Sequence, residues 1–257
     1  MVEETVDWGE PLSADQHSEW EAWEKSLQEL GSLQIPRRTP ISEDDITNKV
    51  HIYADASERA IAAVAYLQTI DVEGNIHVSF LLGKSKVAPK HGHSIPRLEL
   101  CAALLAVEIV EILQEQIYTP SENMIFYSDS KVLLGYLKNR TRRFYVYVAN
   151  RVSRILRFTK PVQWFYVESE NNPSDQGTRF LSASMLRDSK WLLGATQLSK
   201  HLELPDDRFP LAEPEEDKEI RPEAVVKKTE LIPAPVTYLF DKFFRWSKLV
   251  KVISLVM

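Results

Sequence analysis

Four acids stand where a carboxylate is otherwise awkward. Asp55 closes Tyr53-Ala54-Asp55-Ala56-Ser57 and Asp129 closes Tyr127-Ser128-Asp129-Ser130, each at the end of an apolar, strand-like stretch. Glu99 sits inside Arg97-Leu98-Glu99-Leu100, and Asp175 in Asn172-Pro173-Ser174-Asp175, at the start of a further helical stretch. Brought within a few ångströms, such carboxylates repel one another unless cations lie between them. Hard oxygen ligands select Mg²⁺ or Mn²⁺ over zinc. Two such ions roughly 4 Å apart activate a water and stabilise the leaving oxygen of a phosphodiester. Each acid also has a purely structural reading. Asp55 and Asp129 suit turns after strands, and Glu99 and Asp175 suit the positive end of a helix. The metal reading therefore needs all four to converge.

The elements that must position them can be read from pattern. Pro96 fits the first turn of a helix, where its missing N–H is not needed. From Leu98 to Ile117 there is no Gly or Pro and apolar residues dominate, which predicts one long helix. Glu108, Glu111 and Glu115 form its solvated stripe. Glu99, nine residues before Glu108, falls on the opposite, apolar side at roughly 100° per residue. Val50–Ala56, Ala60–Thr69 and Ile76–Lys84 read as strands, the last two joined by the turn Asp71-Val72-Glu73-Gly74-Asn75. Asn123–Ser128 and Val162–Val167 read as two more strands. Ser130–Leu137 and Tyr145–Phe158 read as helices, and Pro173–Leu186 as a closing helix or two. The expected fold is α/β, a five-stranded mixed sheet with helices on its faces.

The flanks differ in composition. Residues 1–48 are acidic and carry Trp20, Trp23, Leu27 and Leu30 at helical spacing, an N-terminal helical segment or connection. Residues 49–195 form the predicted domain. Residues 196–236 are rich in Pro, Asp and Glu, as a linker is, and 237–257 return to an amphipathic helix. Lys242, Arg245, Lys248 and Lys251 on that helix argue against a membrane span and leave a surface-lying helix or the first helix of a following domain. The single cysteine excludes an internal disulfide, and neither a leader nor a membrane-spanning run is visible. The net charge of -6 is uninformative about nucleic acid, but its distribution is not. Between residues 131 and 160 lie Lys131, Lys138, Arg140, Arg142, Arg143, Arg151, Arg154, Arg157 and Lys160 with no acid among them, interleaved with aromatic residues. Such a run is often only a solvated face. Directly after Asp129, in an otherwise acidic chain, it reads as a ridge that tracks phosphates. Arg97, beside Glu99, could reach a minor groove or anchor a local carboxylate. His91 and His93 lack zinc-type partners. Cys101, Trp164 and Trp191 read as packing residues.

The wording of the motifs adds a resemblance. The order strand-Asp, helix-Glu, strand-Asp, helix-Asp resembles the ribonuclease H family. Asp55-Ala56-Ser57, Lys84-Ser85-Lys86-Val87-Ala88-Pro89, Ile95-Pro96-Arg97-Leu98-Glu99-Leu100, Val148-Ala149-Asn150-Arg151-Val152, Gln163-Trp164 and Asn172-Pro173-Ser174-Asp175-Gln176-Gly177-Thr178-Arg179 resemble the RNase H region of BEL/Pao-type retrotransposon polyproteins. The resemblance covers about residues 50–195. It implies a nuclease that cuts the RNA strand of an RNA–DNA hybrid, with Asp55, Glu99, Asp129 and Asp175 as ligands of two Mg²⁺ ions, or of Mn²⁺. It further implies reverse-transcriptase and integrase portions of the same polyprotein as partners, no membrane, and a retroelement particle in the cytoplasm or the nucleus as its place. Two departures stand out. The loop Glu168-Ser169-Glu170-Asn171 lacks the His usual in cellular members, and Ala56 stands where Gly is common. The alternatives are a catalytically silent scaffold or nucleic-acid-binding remnant, and a related nuclease that cuts DNA.

Overall fold

The structure is a computed structural model that describes residues 9, 11–35, 47–89, 93–116, 120–199, 216–222 and 250. The chain divides into two units, Met1–Pro222 and Glu223–Met257. The expected C-terminal helix over 237–257 lies outside the described residues apart from Val250, and His91 lies outside them too.

The first unit is built on a five-stranded mixed sheet. Its strands are β1 (Thr47–Ala56), β2 (Ala60–Ile70), β3 (Ile76–Val87), β4 (Met124–Ser128) and β5 (Trp164–Tyr166), in the order β3-β2-β1-β4-β5. β1, β2 and β3 run as an antiparallel meander. β4 and β5 then add in parallel, through helical crossovers. Alternation along the strands sorts residues onto two faces. Val50, Ile52, Ala54, Ala63, Ala65 and Leu67 pack into the main core, beneath α2 (Ile95–Gln116), α3 (Lys131–Lys138) and α4 (Val146–Phe158). Ala54, Ala63 and Ala65 face Ala102, Ala103 and Ala106 within one core, so small side chains let α2 lie close to the central strands. Tyr53, Val64, Tyr66, Ile125 and Tyr127 line the opposite face. There His51 is buried between the Tyr127 hydroxyl (3.0 Å) and Gln68 (3.2 Å), and burial pushes its imidazole down to about 4.

α2 begins where Pro96 predicts, with the Ser94 carbonyl accepting from the N–H groups of Arg97 and Leu98. α1 (Ala14–Leu30) starts at a Ser13–Gln16 capping box and buries none of its residues. The closing stretch departs from expectation. Where a helix or two is expected over Pro173–Leu186, there is a 3₁₀ turn, Pro173–Thr178, and the one-turn helix α5 (Ala183–Leu186), followed by α6 (Lys190–Leu193). The reason is tertiary. A Cβ built on Gly177 would come 2.2 Å from the Trp191 ring, and one on Gly83 of β3 would come 2.4 Å from it. The indole is therefore packed flush against both glycines and holds the turn onto the sheet edge. Ser85 Oγ donates to the Gly177 carbonyl (2.7 Å) and Gln176 accepts from the Trp191 N–H (2.9 Å).

The acidic, Pro-rich stretch 196–236 also contains ordered pieces. Leu198 is buried in a 3₁₀ turn at Thr196–Ser199, and Ile220 is buried where its backbone bridges Phe144. Among the described residues no helix is long and apolar enough to cross a membrane.

Candidate active site

Parallel pairing of β1 and β4 sets the first two acids side by side. The ladder pairs Tyr53 with Tyr127. Continuing that register two residues along each strand puts Asp55 opposite Asp129. The turn after β4 is fixed by two serines: Ser128 Oγ accepts from the Ser130 N–H, and Ser130 caps α3 by accepting from the Leu133 N–H. α2, packed across β1 and β2, contributes Glu99, which is 7% exposed.

One carboxylate oxygen from each of Asp55, Glu99 and Asp129 lies within 4.8 Å of the others. Two buried oxygens, Glu99 Oε2 and Asp129 Oδ1, have no hydrogen-bond partner. Burial, then the charges of Asp129 and Asp55, pushes the Glu99 carboxyl up to about 9. Burial and the Asp129 charge, with a smaller push from Asp175, raise the Asp55 carboxyl to about 7. Unpartnered acceptor oxygens facing a shared space among crowded acids make a donor set that fits a hard divalent cation such as Mg²⁺ or Mn²⁺. A cation there would relieve the repulsion and satisfy the orphaned oxygens together.

Asp175 stands outside this close group. It sits in the 3₁₀ turn, and its Oδ1 accepts from Arg179 at 2.7 Å in a largely exposed ion pair. The turn is nonetheless tied to the site. Asn172 Nδ2 donates to the Ala54 carbonyl (3.1 Å), and Thr178 Oγ1 donates to Asp55 Oδ2 (3.0 Å). Thr178 thus favours the charged form of Asp55 against its burial. Ser169, in the loop that lacks a histidine, donates to Asp129 Oδ2. Neither hydroxyl is assigned a role by spacing. Thr178 lies within the quoted Gly177-Thr178-Arg179 motif, whereas Ser169 carries no sequence signal. An open cleft of about 620 Å³ shares Thr178 with the site and is also lined by Ser57, Arg59, Ser85, Arg179 and Phe180.

The predicted basic ridge lies on α3, α4 and the loop between them. Arg140 and Arg143 are exposed in that loop, whose shape is held by Asn139 accepting from the N–H groups of Thr141 and Arg142. Lys138 and Arg142 are half-buried, and Arg154 is exposed on α4. The Lys131 ammonium lies over the Tyr166 ring at 5.1 Å. Arg151 stacks on Tyr147 at 3.4 Å, and Arg97 approaches the same ring at 4.7 Å. Arg97 also forms a two-bond ion pair with Glu219, so a carboxylate anchor, one of its two expected roles, is realised. Trp164 and Trp191 pack, Trp164 against Phe126 at 4.8 Å. Cys101 is half-buried with its sulfur 3.4 Å from the Tyr147 hydroxyl.

The family model described as "Pao retrotransposon-like RNaseH-like domain" matches residues 1–130, a span that includes Asp55, Glu99 and Asp129 but not Asp175. No curated protein matches the sequence. Among solved structures, the chain is similar to LC11-RNase H1 in complex with an RNA/DNA hybrid, at 12% identity over 51% of this chain and 92% of that one, with a TM-score of 0.33. It is also similar to RNase H1 from the halophilic archaeon Halobacterium salinarum, at 14% identity over 55% and 99%, TM-score 0.32. A third likeness is to the Prototype Foamy Virus protease–reverse transcriptase, at 14% identity over 66% of this chain and 23% of that one, TM-score 0.26.

Proposed function

The chain belongs to the family of Pao retrotransposon-like RNaseH-like domains, and from that premise we propose that it is a metal-dependent endonuclease that hydrolyses the RNA strand of RNA–DNA hybrids during reverse transcription. The observation that carries the reading is the group of Asp55, Glu99 and Asp129 with its two orphaned, buried oxygens. These three residues would hold divalent ions, Mg²⁺ or Mn²⁺, with Asp175 completing the set from the 3₁₀ turn. The bound ions supply an activated water and charge stabilisation at the leaving 3′ oxygen.

The chain's own groups orient that set. Thr178 holds one oxygen of Asp55 and Ser169 one oxygen of Asp129, leaving the other oxygen of each for a metal ion. Asp175 must exchange Arg179 for the site, and an ion pair this exposed is worth little enough to allow it. Arg140, Arg143, Arg151 and Arg154, with Lys131, Lys138 and Arg142, track phosphates and position the duplex without reading sequence. Arg97, on the first turn of the helix that bears Glu99, would contact the hybrid's backbone beside its minor groove, where 2′-hydroxyls distinguish RNA. The reverse-transcriptase and integrase portions of the same polyprotein are the expected covalent partners, in a retroelement particle.

The test is a labelled hybrid with Mg²⁺. The wild type cuts the RNA strand, and Asp129→Asn abolishes cutting while hybrid binding and the thermal transition persist. Cutting that survives Asp129→Asn overturns the mechanism, and preference for duplex DNA overturns the substrate. The Asp175–Arg179 pair and the absence of His from residues 168–171 favour the alternative of a catalytically silent nucleic-acid-binding scaffold. Hybrid binding without cleavage at any Mg²⁺ or Mn²⁺ concentration would establish that alternative.

A further inference from the structure

The stretch from Glu216 to Pro222 returns to the domain and lies on the basic ridge. Ile220 is its apolar anchor, 1% exposed, bridged antiparallel to Phe144. The Tyr145 N–H donates to the Glu219 carbonyl at 3.0 Å, and the Arg221 N–H to the Arg143 carbonyl at 2.7 Å. Two of its three acids, Asp217 and Glu219, bond to side chains of the domain. Arg97 donates from Nε and Nη2 to the two oxygens of Glu219, at 2.6 and 3.1 Å. The Tyr136 hydroxyl donates to Asp217 at 2.5 Å. Arg221, one of the segment's two cations with Lys218, faces the Tyr145 ring at 5.2 Å.

We propose that residues 216–222 are a detachable strap that masks part of the nucleic-acid track, with the Glu219 carboxylate occupying on Arg97 the place of a backbone phosphate. This rests on the proposed function. Carboxylate and phosphate offer a guanidinium the same pair of oxygens, and Arg97 cannot give Nε and Nη2 to both. Arg97 lies two residues from Glu99, and Arg143 and Tyr145 flank the exposed loop of the ridge, so strap and hybrid compete for one surface. The ridge has no acid of its own between residues 131 and 160, whereas the strap brings three acids beside it against its own Lys218 and Arg221. The strap is held by one buried apolar side chain, the two backbone hydrogen bonds of its bridge, the Arg97–Glu219 pair and the Tyr136–Asp217 bond. A ribbon that small is marginal without further strands, so a polyanion can displace it. The polyprotein's own linker would then hold the domain closed to nucleic acid until a hybrid, or cleavage of the linker, releases it.

The experiment uses the full chain in an Asp129→Asn background, so that binding is read without cutting. A strap docked nine-tenths of the time lowers apparent affinity about tenfold. The double variant Asp217→Asn/Glu219→Gln is therefore expected to bind a labelled hybrid about tenfold more tightly. Ile220→Asp, which frees the strap while keeping its acids, should tighten binding similarly. Glu122→Gln, which removes one negative charge at an exposed site away from the strap, should alter it less than twofold. Saturating hybrid should also speed hydrogen exchange at the Tyr145 and Arg221 amides. The proposal is overturned if the wild-type strap binds hybrid but neither strap variant exceeds Glu122→Gln, or if those amides stay protected in the complex. If no variant binds hybrid at all, the proposed function falls, and the strap's role with it.

Discussion

Glu99→Gln should make the metal-free protein more stable while removing its activity. Glu99 is 7% exposed among like charges, and its carboxyl is raised from 4.5 to about 9. Between those values the folded state binds a proton that the unfolded chain has released. The unfolded state therefore holds fewer protons, and stability falls as pH rises. The contribution is full below about pH 4.5 and is lost progressively toward pH 9. At pH 7 the folded protein holds Glu99 protonated against a gap of about 2.5 pH units, which costs about 3 kcal/mol. Glutamine has nearly the same shape and never ionises, so Glu99→Gln avoids that cost. For a unit of this size the gain corresponds to a rise in Tm on the order of 10 °C at pH 7, shrinking to nothing near pH 4. The assay is thermal unfolding of wild type and variant in chelator from pH 4 to 9. Taking the difference between them cancels groups such as His51 that titrate in both. Mg²⁺ at about a thousand times Kd should then reverse the order, because only the wild type keeps the full ligand set and that saturation stabilises by about 4.1 kcal/mol. A difference curve that is flat with pH, or a variant less stable than wild type in chelator at pH 7, would refute the claim that Glu99 is held as a desolvated ligand.

Thr178→Val removes the hydrogen bond that favours ionised Asp55, whose carboxyl already stands at about 7. Its carboxyl should rise further, so the Mg²⁺ concentration for half-maximal cleavage should increase severalfold at pH 6.5 and much less at pH 8.5; equal shifts at both pH values would place Thr178 outside the titration. Gly177→Ala drives a Cβ into the Trp191 ring, 2.2 Å away, and against Ala62, so it should destabilise by about 1–3 kcal/mol in urea unfolding. Trp191→Ala in the same chain should recover part of that loss, and no recovery would show that the clash is not the cause.

Much of this protein was legible in its sequence because the signals were local. Pro96 and an unbroken apolar run specify α2, and two strand-like runs joined by a Gly74 turn specify β2 and β3. Strand-ending acids and a glutamate on the wrong side of a helix single out Asp55, Asp129 and Glu99. The closing stretch was not legible. The helix or two expected there is cut to a 3₁₀ turn and a one-turn helix where Gly177 is pressed under Trp191, fourteen residues onward, and no window sees that contact. Composition likewise reads 196–236 as linker, since Pro and acid density says nothing of one isoleucine finding a groove beside Phe144.

The sequence by itself determined which residue types were available and on which side of each element they lay, because helical and strand periods are properties of the backbone. Only the tertiary structure decided which of them meet. The parallel register of β1 and β4 sets Asp55 beside Asp129, the packing of α2 brings Glu99 to them, and Arg179 draws Asp175 aside. The serine and threonine that hold the acids, and the glutamate on Arg97, come from segments forty to more than a hundred residues away. Electrostatic energy depends on distance through space, and distance along the chain does not report it.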